Sequence, residues 1–123
     1  MPQLTLEFTS NIVEKNNMND LFQECHSILE KILPTDIDSC KSRSIEHHNY
    51  HIGDGNPNNA FVHVSLDIMP GRSLDTQKNV GDNLMLILKN YFASSLAELN
   101  LQITLEITEL PRTYFKITSR QSP

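Results

Sequence analysis

The sequence predicts an α+β fold in which two β-α-β units form a four-stranded sheet with two helices on one face. Two observations lead to this prediction: polar and apolar residues alternate in strand-like segments, and apolar residues recur at helical spacing between them. The order strand, helix, strand occurs twice along the chain. Each unit should therefore contain parallel strands joined by a right-handed crossover, and the two helices can cover one face of the sheet.

The first unit starts with residues 3–9, in which polar and apolar positions alternate as in a half-buried strand. Ser10 and Asn11 offer N-cap oxygens, and Asn11 with Glu14 has the spacing of a capping box, although nearby asparagines favour an irregular first turn. Pro34 ends the helix that follows. The apolar positions of this helix are Leu21, Phe22, Cys25, Ile28, Leu29, Ile32 and Leu33.

The segment that completes the first unit is the least regular part of the chain. Residues 42–50 are compatible with a strand, and residues 51–59 are rich in Gly, Asn, Asp and Pro, which is typical of a turn or loop. His47, His48 and His51 lie here without a helical face to align them and without a set of Cys or carboxylate ligands. We therefore expect exposed loop histidines and no metal site.

The second unit has clearer boundaries than the first. Residues 60–68 alternate strongly, and Pro70 and Gly71 break this strand. Ser73 is a good N-cap residue, and Asp75 lies in the favourable first turn of a helix. The apolar positions of this helix are Val80, Leu84, Ile87, Leu88, Tyr91, Phe92 and Leu96, and those of a last strand are Leu99, Leu101, Ile103, Leu105 and Ile107.

The face of the predicted sheet opposite the helices is polar. It can be solvated or can line the interior of an oligomer, and its His63, Glu7 and Glu106 are expected to form hydrogen bonds rather than to catalyse. Ferredoxin-like and tautomerase-like sheets share this element order, so periodicity leaves both folds open. Residues 111–123 form a polar extension. The polar face carries Thr5, Glu7, His63, Ser65, Gln102, Thr104 and Glu106.

The bulk properties are those of one globular domain spanning residues 1–123, with 38% hydrophobic and 20% charged residues. No apolar run approaches the roughly 20 residues of a membrane span, and no secretory signal pattern is present, so no membrane partner is expected. A net charge of −5 without a Lys/Arg cluster argues against a nucleic-acid partner. Cys25 and Cys40 fit no metal or redox motif, and we expect a cytoplasmic location.

Pro2 directly precedes the first strand and is the most informative single residue. Cytosolic processing usually removes an initiator Met before a small residue such as Pro, and its removal would leave a secondary amine on a rigid ring. Such an amine can act as a general base when its pKa is near the working pH. Proline is also common at position 2 without any function, so this interpretation needs support from the rest of the chain.

Pro2 combines with a Gly71-Arg72-Ser73-Leu74 segment at a strand-to-helix turn, which is a fairly specific pairing. Further characteristic segments are residues 10–12, 42–43, 60–64, 106–110 and 115–116. Together they resemble the 5-carboxymethyl-2-hydroxymuconate Δ-isomerase family of the tautomerase superfamily, whose members use an amino-terminal proline. The resemblance covers nearly the whole chain.

This resemblance implies a homotrimer whose sheets wrap into a central barrel, with the polar faces inward. It also implies an isomerase that needs no cofactor and takes a small-molecule carboxylate as substrate. The family's reaction moves a proton from the 2-hydroxyl of a dienol acid to a distant carbon during bacterial degradation of homoprotocatechuate. Pro2 would be the proton shuttle.

Cations must hold the carboxylates of such a substrate and stabilise the developing dienolate. Arg72 is the best candidate, because it stands just before the helix start at Ser73 and its planar fork suits a carboxylate. The position of a second family arginine holds Lys41, which keeps the charge and loses the fork. Arg43 matches a neighbouring family arginine, whose role is either structural or within the site.

Two other hypotheses remain open. Lys41 is compatible with a tautomerase that acts on the enol of a smaller 2-oxo acid. A non-catalytic trimeric binding protein of the same fold is the alternative from a different class. A retained Met1 would favour the binding protein, because the Pro2 nitrogen would then belong to an amide.

Overall fold

The computed structural model describes residues 1–119 of the chain. It confirms the predicted element order, and residues 120–123 of the predicted polar extension lie outside the described part. A single 3₁₀ turn, Ile37–Ser39, precedes the second strand. The elements are β1 (Gln3–Thr9), α1 (Met18–Ile32), β2 (Lys41–His47), β3 (Asn59–Ile68), α2 (Leu74–Tyr91), α3 (Ala93–Glu98) and β4 (Asn100–Glu109).

The strands form a mixed sheet in the order β2-β1-β3-β4. Each β-α-β unit contributes one parallel pair, β1 with β2 and β3 with β4, and the two units meet through the antiparallel pair of β1 with β3. Gln3 at the start of β1 is flanked by Lys41 at the start of β2 and by Asp67 near the end of β3. The amino-terminal end of the chain therefore lies in the middle of one end of the sheet.

The core lies between the helices and the apolar face of the sheet, as the two periodicities predict. Every second residue of β1 and β3 is buried, and the helices contribute residues three and four apart. No helix within residues 1–119 is long and apolar enough to cross a membrane. The largest fully buried side chains are Phe92, Leu4, Leu6, Leu21, Leu29, Leu33, Leu66, Ile68, Leu84, Leu88, Val62 and Val64.

The predicted helix cap at Ser10 or Asn11 is wrong, whereas the irregular segment expected before the helix is present. Helix α1 begins only after Asn17, which has a left-handed backbone (φ 65°) and makes no side-chain cap. Neither Ser10 nor Asn11 caps a helix. The Asn11 side-chain oxygen accepts from the Thr9 hydroxyl at 2.6 Å, and its amide nitrogen donates to the backbone carbonyls of Pro57 and Asn59. The Glu14 carboxylate instead accepts from the backbone N–H of Ser95 at 3.0 Å. Both residues of the expected capping box therefore form hydrogen bonds with residues that are distant in sequence.

The start of the second helix agrees with its prediction. The Ser73 hydroxyl accepts from the backbone N–H of Thr76 at 3.1 Å, as an N-cap residue does. The prediction of one continuous helix up to Leu96 is wrong, because α2 ends at Tyr91 and the shorter α3 begins at Ala93. Phe92, which separates them, is fully buried, and its large side chain belongs to the core.

Candidate active site

The amino-terminal residues form the centre of the candidate site. Pro2 is buried, and its carbonyl accepts from the backbone N–H of Lys41 at 3.1 Å, which extends the β1–β2 ladder by one residue. Met1 is half-buried beside it. Strand pairing therefore fixes the position of Pro2, which agrees with the strand that alternation predicts directly after it.

Positive charges surround the amino group of Met1. Partial burial and then the positive charge of Arg72 lower the pKa of this amino group below that of an ordinary chain terminus. Lys116 and Lys41 lower it further, and Cys40 opposes the shift. The structure thus brings two of the predicted site residues, Arg72 and Lys41, to the amino terminus.

Arg72 bridges the ends of the two main helices. One guanidinium nitrogen donates to the backbone carbonyl of Leu33, just beyond α1, at 2.8 Å. The side chain is half-buried, and the Arg72 carbonyl accepts from the side-chain amide of Gln77 at 3.2 Å. The turn before it requires Gly71, whose φ of 108° is strained for any other residue. In this three-residue sequence the glycine therefore forms the turn, the arginine is a cation anchored to the end of α1, and the serine caps α2.

Lys41 and Arg43 differ in how their side chains are held. The Lys41 ammonium is exposed and donates to the Ser39 carbonyl at 3.3 Å. The Arg43 guanidinium donates to the side-chain carbonyl of Gln3 at 2.7 Å, on the polar face of the sheet. Arg43 is not among the charges that lower the pKa of the Met1 amino group. Its roles as a site residue and as a structural residue both remain predictions.

None of the ion pairs within residues 1–119 involves Arg43, Arg72, Lys41 or Lys116. Each of these four side chains donates instead to an uncharged acceptor. Three of them, Arg72, Lys41 and Lys116, act on the Met1 amino group. Since these three cations have no carboxylate partner within residues 1–119, in a chain of net charge −5, an anionic ligand would compensate their charge.

Sequence analysis missed two residues of this site. Lys116 places its ammonium 3.6 Å from the thioether sulfur of Met1. Cys40 is buried next to the amino terminus, and this burial raises the pKa of its thiol. Lys116 lies in a segment without periodicity. The one signal for it in the sequence was that residues 115–116 belong to the segments that resemble the family.

The polar histidines lie elsewhere, on the open face of the sheet. His47 ends β2 rather than lying in a loop, which corrects the prediction for this residue, and its ring nitrogen is 2.8 Å from Glu7. His63 lies 3.2 Å from Glu106 in the same way. Within residues 1–119, no three His, Cys, Asp or Glu side chains converge as they would around a metal ion.

An amine of lowered pKa, surrounded by cations without carboxylate partners, is suited to acid–base chemistry on an anion. A lowered pKa favours the neutral amine, which can accept a proton, and the cations can hold carboxylates and stabilise negative charge that develops on an oxygen. This is the machinery that a proton-shifting isomerase requires.

Comparison with known proteins gives the same class. Residues 2–120 match the family model of 5-carboxymethyl-2-hydroxymuconate isomerase. The 5-carboxymethyl-2-hydroxymuconate Delta-isomerase of Escherichia coli is 30% identical over 117 residues, which cover 94% of this chain and 93% of that protein.

Solved structures extend this similarity to the fold. The crystal structure of a 5-carboxymethyl-2-hydroxymuconate isomerase from Deinococcus radiodurans R1 has 31% identity and a TM-score of 0.86, and the match covers 95% of this chain and 90% of that one. An asymmetric trimer of fused wild-type 4-OT shares the fold at 15% identity and a TM-score of 0.74, with 96% and 94% of the two chains covered.

The fold and the site define an isomerase of the tautomerase superfamily. Within this class, the chain belongs to the 5-carboxymethyl-2-hydroxymuconate isomerase family, the cofactor-independent isomerases of aromatic-compound degradation. This result sets aside the hypothesis of a non-catalytic binding protein and selects the tautomerase-like fold over the ferredoxin-like one.

Proposed function

We propose that this chain, once Met1 is removed, ketonises 5-carboxymethyl-2-hydroxymuconate or a closely related dienol acid with the Pro2 amine as proton shuttle. The observation that carries this proposal is the convergence of Arg72, Lys41 and Lys116 on the amino terminus without carboxylate partners. The free Pro2 nitrogen would stand at the start of β1 among these charges, which disfavour a protonated amine as they do at Met1.

The proposed reaction is a proton shift that balances without any co-reactant. The Pro2 amine removes the proton of the 2-hydroxyl group, and the oxygen lone pair forms the C2=O bond. The C2=C3 electrons move to form C3=C4, and the C4=C5 electrons take the proton back from the Pro2 ammonium at C5. Arg72, anchored through Leu33, stabilises the negative charge that spreads over the dienolate.

The charge of the substrate explains why local cations are needed. Muconate is a dicarboxylate, and the carboxymethyl group adds a third carboxylate. A chain of net charge −5 repels such an anion at long range. Binding therefore depends on short contacts with Arg72 and Lys41, and the Arg72 fork can bind one carboxylate through two parallel hydrogen bonds.

We further infer that the chain forms a homotrimer with the polar sheet faces inward. The fused 4-OT neighbour is a trimer. Within residues 1–119, no strand pairs with the outer edge of β4, which lies beside an apolar groove along α2 that a second copy can cover. The two buried free cysteines agree with the expected cytoplasmic location. The groove is lined by Leu74, Met85, Ile103, Leu105 and Ile107 among others.

The test is an ultraviolet assay of 5-carboxymethyl-2-hydroxymuconate ketonisation with processed protein, whose loss of Met1 is verified by intact mass. We expect Arg72→Ala to reduce kcat/KM by about 10²–10³. Arg72→Lys keeps the charge and separates the effect of the fork from that of the charge. The control is Lys89→Ala, in the last turn of α2 and about 22 Å along the helix from its start.

Thermal unfolding of the same proteins shows whether Arg72→Ala remains folded, since it also removes the hydrogen bond to Leu33. Unchanged kinetics in folded Arg72→Ala would contradict the proposal. Phenylpyruvate enol, assayed in parallel, tests the second candidate, a tautomerase of smaller 2-oxo acids, which Lys41 in place of a family arginine favours. Faster turnover of that enol by the processed wild type would select this candidate.

A further inference from the structure

The segment after β4 crosses the end of the sheet and reaches the amino terminus. Residues 110–119, which we name the strap, contain no helix or strand. The strap starts where the backbone N–H of Leu110 donates to the Ile68 carbonyl at 2.7 Å. It is then tied to β1, because the Tyr114 hydroxyl accepts from the Gln3 side-chain amide at 3.3 Å. Lys116 follows two residues later and reaches Met1.

Among the described residues 1–119, Lys116 has no charged partner. Its ammonium is exposed and, within residues 1–119, its hydrogen bond goes to the thioether sulfur of Met1, a weak acceptor. Removal of Met1 takes away this acceptor and leaves the ammonium beside the freed Pro2 amine. An ammonium group that is strongly hydrated and has no counterion is an available binding group for an anion.

The number of cations matches the number of carboxylates on the proposed substrate. Arg72 and Lys41 stand at fixed places, at the start of α2 and at the start of β2, and Lys116 faces them from the strap. Arg72 is half-buried, whereas Lys116, like Lys41, is exposed, and Lys116 alone of the three is contributed by the strap. We propose that Lys116 binds the carboxylate of the carboxymethyl branch and makes the site selective for a dienol acid with three carboxylates over one with two.

This inference rests on the proposed function, which supplies the substrate class, and on a hydrogen-bonded connection that holds the strap in place. The Arg43 guanidinium donates to the Gln3 carbonyl oxygen at 2.7 Å, which fixes the orientation of the Gln3 side-chain amide. The same amide donates through its nitrogen to the Tyr114 hydroxyl. Arg43, Gln3 and Tyr114 are therefore positioning residues that hold Lys116 over the amino terminus.

The closing experiment compares two substrates that differ by the branch alone, 5-carboxymethyl-2-hydroxymuconate and 2-hydroxymuconate. Lys116→Gln should reduce kcat/KM for the first by about tenfold, mainly through KM, because one charge-assisted hydrogen bond is lost. For the second, which lacks the branch, the reduction should be several-fold smaller, since there only the effect of the Lys116 charge on the amine is lost. Lys116→Arg should restore most of the preference. Lys89→Gln makes the same change of net charge at the far end of α2 and should leave both substrates unaffected.

Calorimetric binding of two unreactive acids gives a readout that does not depend on turnover. Tricarballylate differs from glutarate by one added carboxylate, and we expect processed wild type to prefer tricarballylate and Lys116→Gln to lose this preference. Tyr114→Phe should weaken tricarballylate binding and leave glutarate binding unchanged. When combined with Lys116→Gln, Tyr114→Phe should cause no further loss of tricarballylate binding, because both changes act on the same contact.

The two proposals fail in different ways. If wild type ketonises the dienol acid but Lys116→Gln slows both substrates equally or neither, the inference about Lys116 is wrong and the proposed function stands. If wild type turns over neither dienol but its preference for tricarballylate depends on Lys116, the proposed function is wrong and the three-carboxylate site stands. Equal binding of tricarballylate and glutarate by wild type would overturn the site itself.

Discussion

At the scale of single residues, the sheet fixes the position of Pro2, and neighbouring charges act on the amine of Met1 beside it. The backbone of Lys41 fixes the Pro2 carbonyl, and Arg72 contributes the largest charge effect on the adjoining amine. The geometry is therefore set by strand pairing, whereas the proton affinity is set by burial and by cations from three other segments.

Retention of Met1 should abolish most of the activity. The Pro2 nitrogen is then an amide that cannot accept a proton, and loss of a general base typically costs about 10²–10⁴ in rate. Pro2→Ala keeps a free amine, now primary, and should retain weak activity with a shifted pH profile. The measurement is the pH dependence of kcat/KM on preparations whose amino termini are defined by intact mass. Equal turnover by blocked and processed protein would exclude Pro2 as the base.

Lys41→Arg should improve kcat/KM for 5-carboxymethyl-2-hydroxymuconate by about two- to fivefold, because a fork can bind a carboxylate through two hydrogen bonds. Lys41→Gln, which removes the charge, should reduce it. Steady-state kinetics on this acid and on phenylpyruvate enol provide the comparison. Loss of activity in Lys41→Arg would instead mean that the pocket fits a different acid.

At the scale of elements, the structure stabilises its helices through partners that are distant in sequence. Glu14, in the segment before α1, accepts from the backbone N–H of Ser95 and from its hydroxyl. The backbone N–H of Val13 donates to the same hydroxyl at 3.0 Å. Fully buried Ser95 therefore joins the segment before α1 to the short helix α3.

Ser95→Ala should lower the free energy of unfolding by about 1–3 kcal/mol, because the part-buried Val13 N–H and a Glu14 carboxylate oxygen lose their partner together. Activity should remain, since Ser95 follows α2 and the site lies at the start of this helix. Urea unfolding gives the measurement, and the matched control is Ser94→Ala, an exposed neighbour on the same helix. Equal losses in the two variants would show that the Ser95 hydroxyl contributes nothing.

At the scale of the whole molecule, the open sheet face carries alternating acid and base. His47, Glu7, His63 and Glu106 follow one another across all four strands, in the order β2, β1, β3 and β4. His47 pairs with Glu7, and His63 pairs with Glu106. In the proposed trimer this row lines the interior, where neighbouring subunits can extend it.

Light scattering at micromolar protein concentration should give three times the mass of the 14.0 kDa chain. The physical reason is the uncovered edge of β4 and the apolar groove beside it. Met85→Glu, which places a charge in this groove, should dissociate the assembly, whereas Lys78→Glu on the groove rim should affect it less. A stable wild-type monomer would contradict the proposed assembly.

Acid should destabilise the protein in part through Glu106. Its hydrogen bond to His63, followed by that to Ser65, lowers the pKa of the Glu106 carboxyl group. The stabilisation is therefore fully present above the unfolded-state pKa of about 4.3 and is lost as the pH falls through the lower folded-state value. Between pH 6 and pH 3, Glu106→Gln should lose less of its thermal stability than wild type does. An equal loss in both proteins would contradict this role, and Glu98→Gln is the control.

Periodicity was sufficient for β1, β3 and β4, because these strands alternate in step with burial, as Leu4, Leu6 and Val64 do, but not for β2, which shows no such alternation. It failed at Asn11 and Glu14, whose side chains have the right spacing for a local cap but bind partners more than 40 residues away. For the candidate site, Pro2, Lys41 and Arg72 were predicted through the resemblance. Lys116 was missed because contact between residues 1 and 116 depends on the complete fold.

Because the first described segment contacts the last one, the amino terminus can be enclosed only after that last segment has been synthesised. Ribosomal synthesis makes β1 first, yet β2, β3 and the strap that enclose its start are made afterwards, at roughly 5–20 residues per second. Until then the bond between Met1 and Pro2 is open to a peptidase. In the folded chain Pro2 is buried and Met1 is half-covered. Under the proposed function, the several seconds needed to synthesise the later segments are therefore the interval in which Met1 is most accessible, and a chain that folded with Met1 in place would keep the Pro2 nitrogen in an amide.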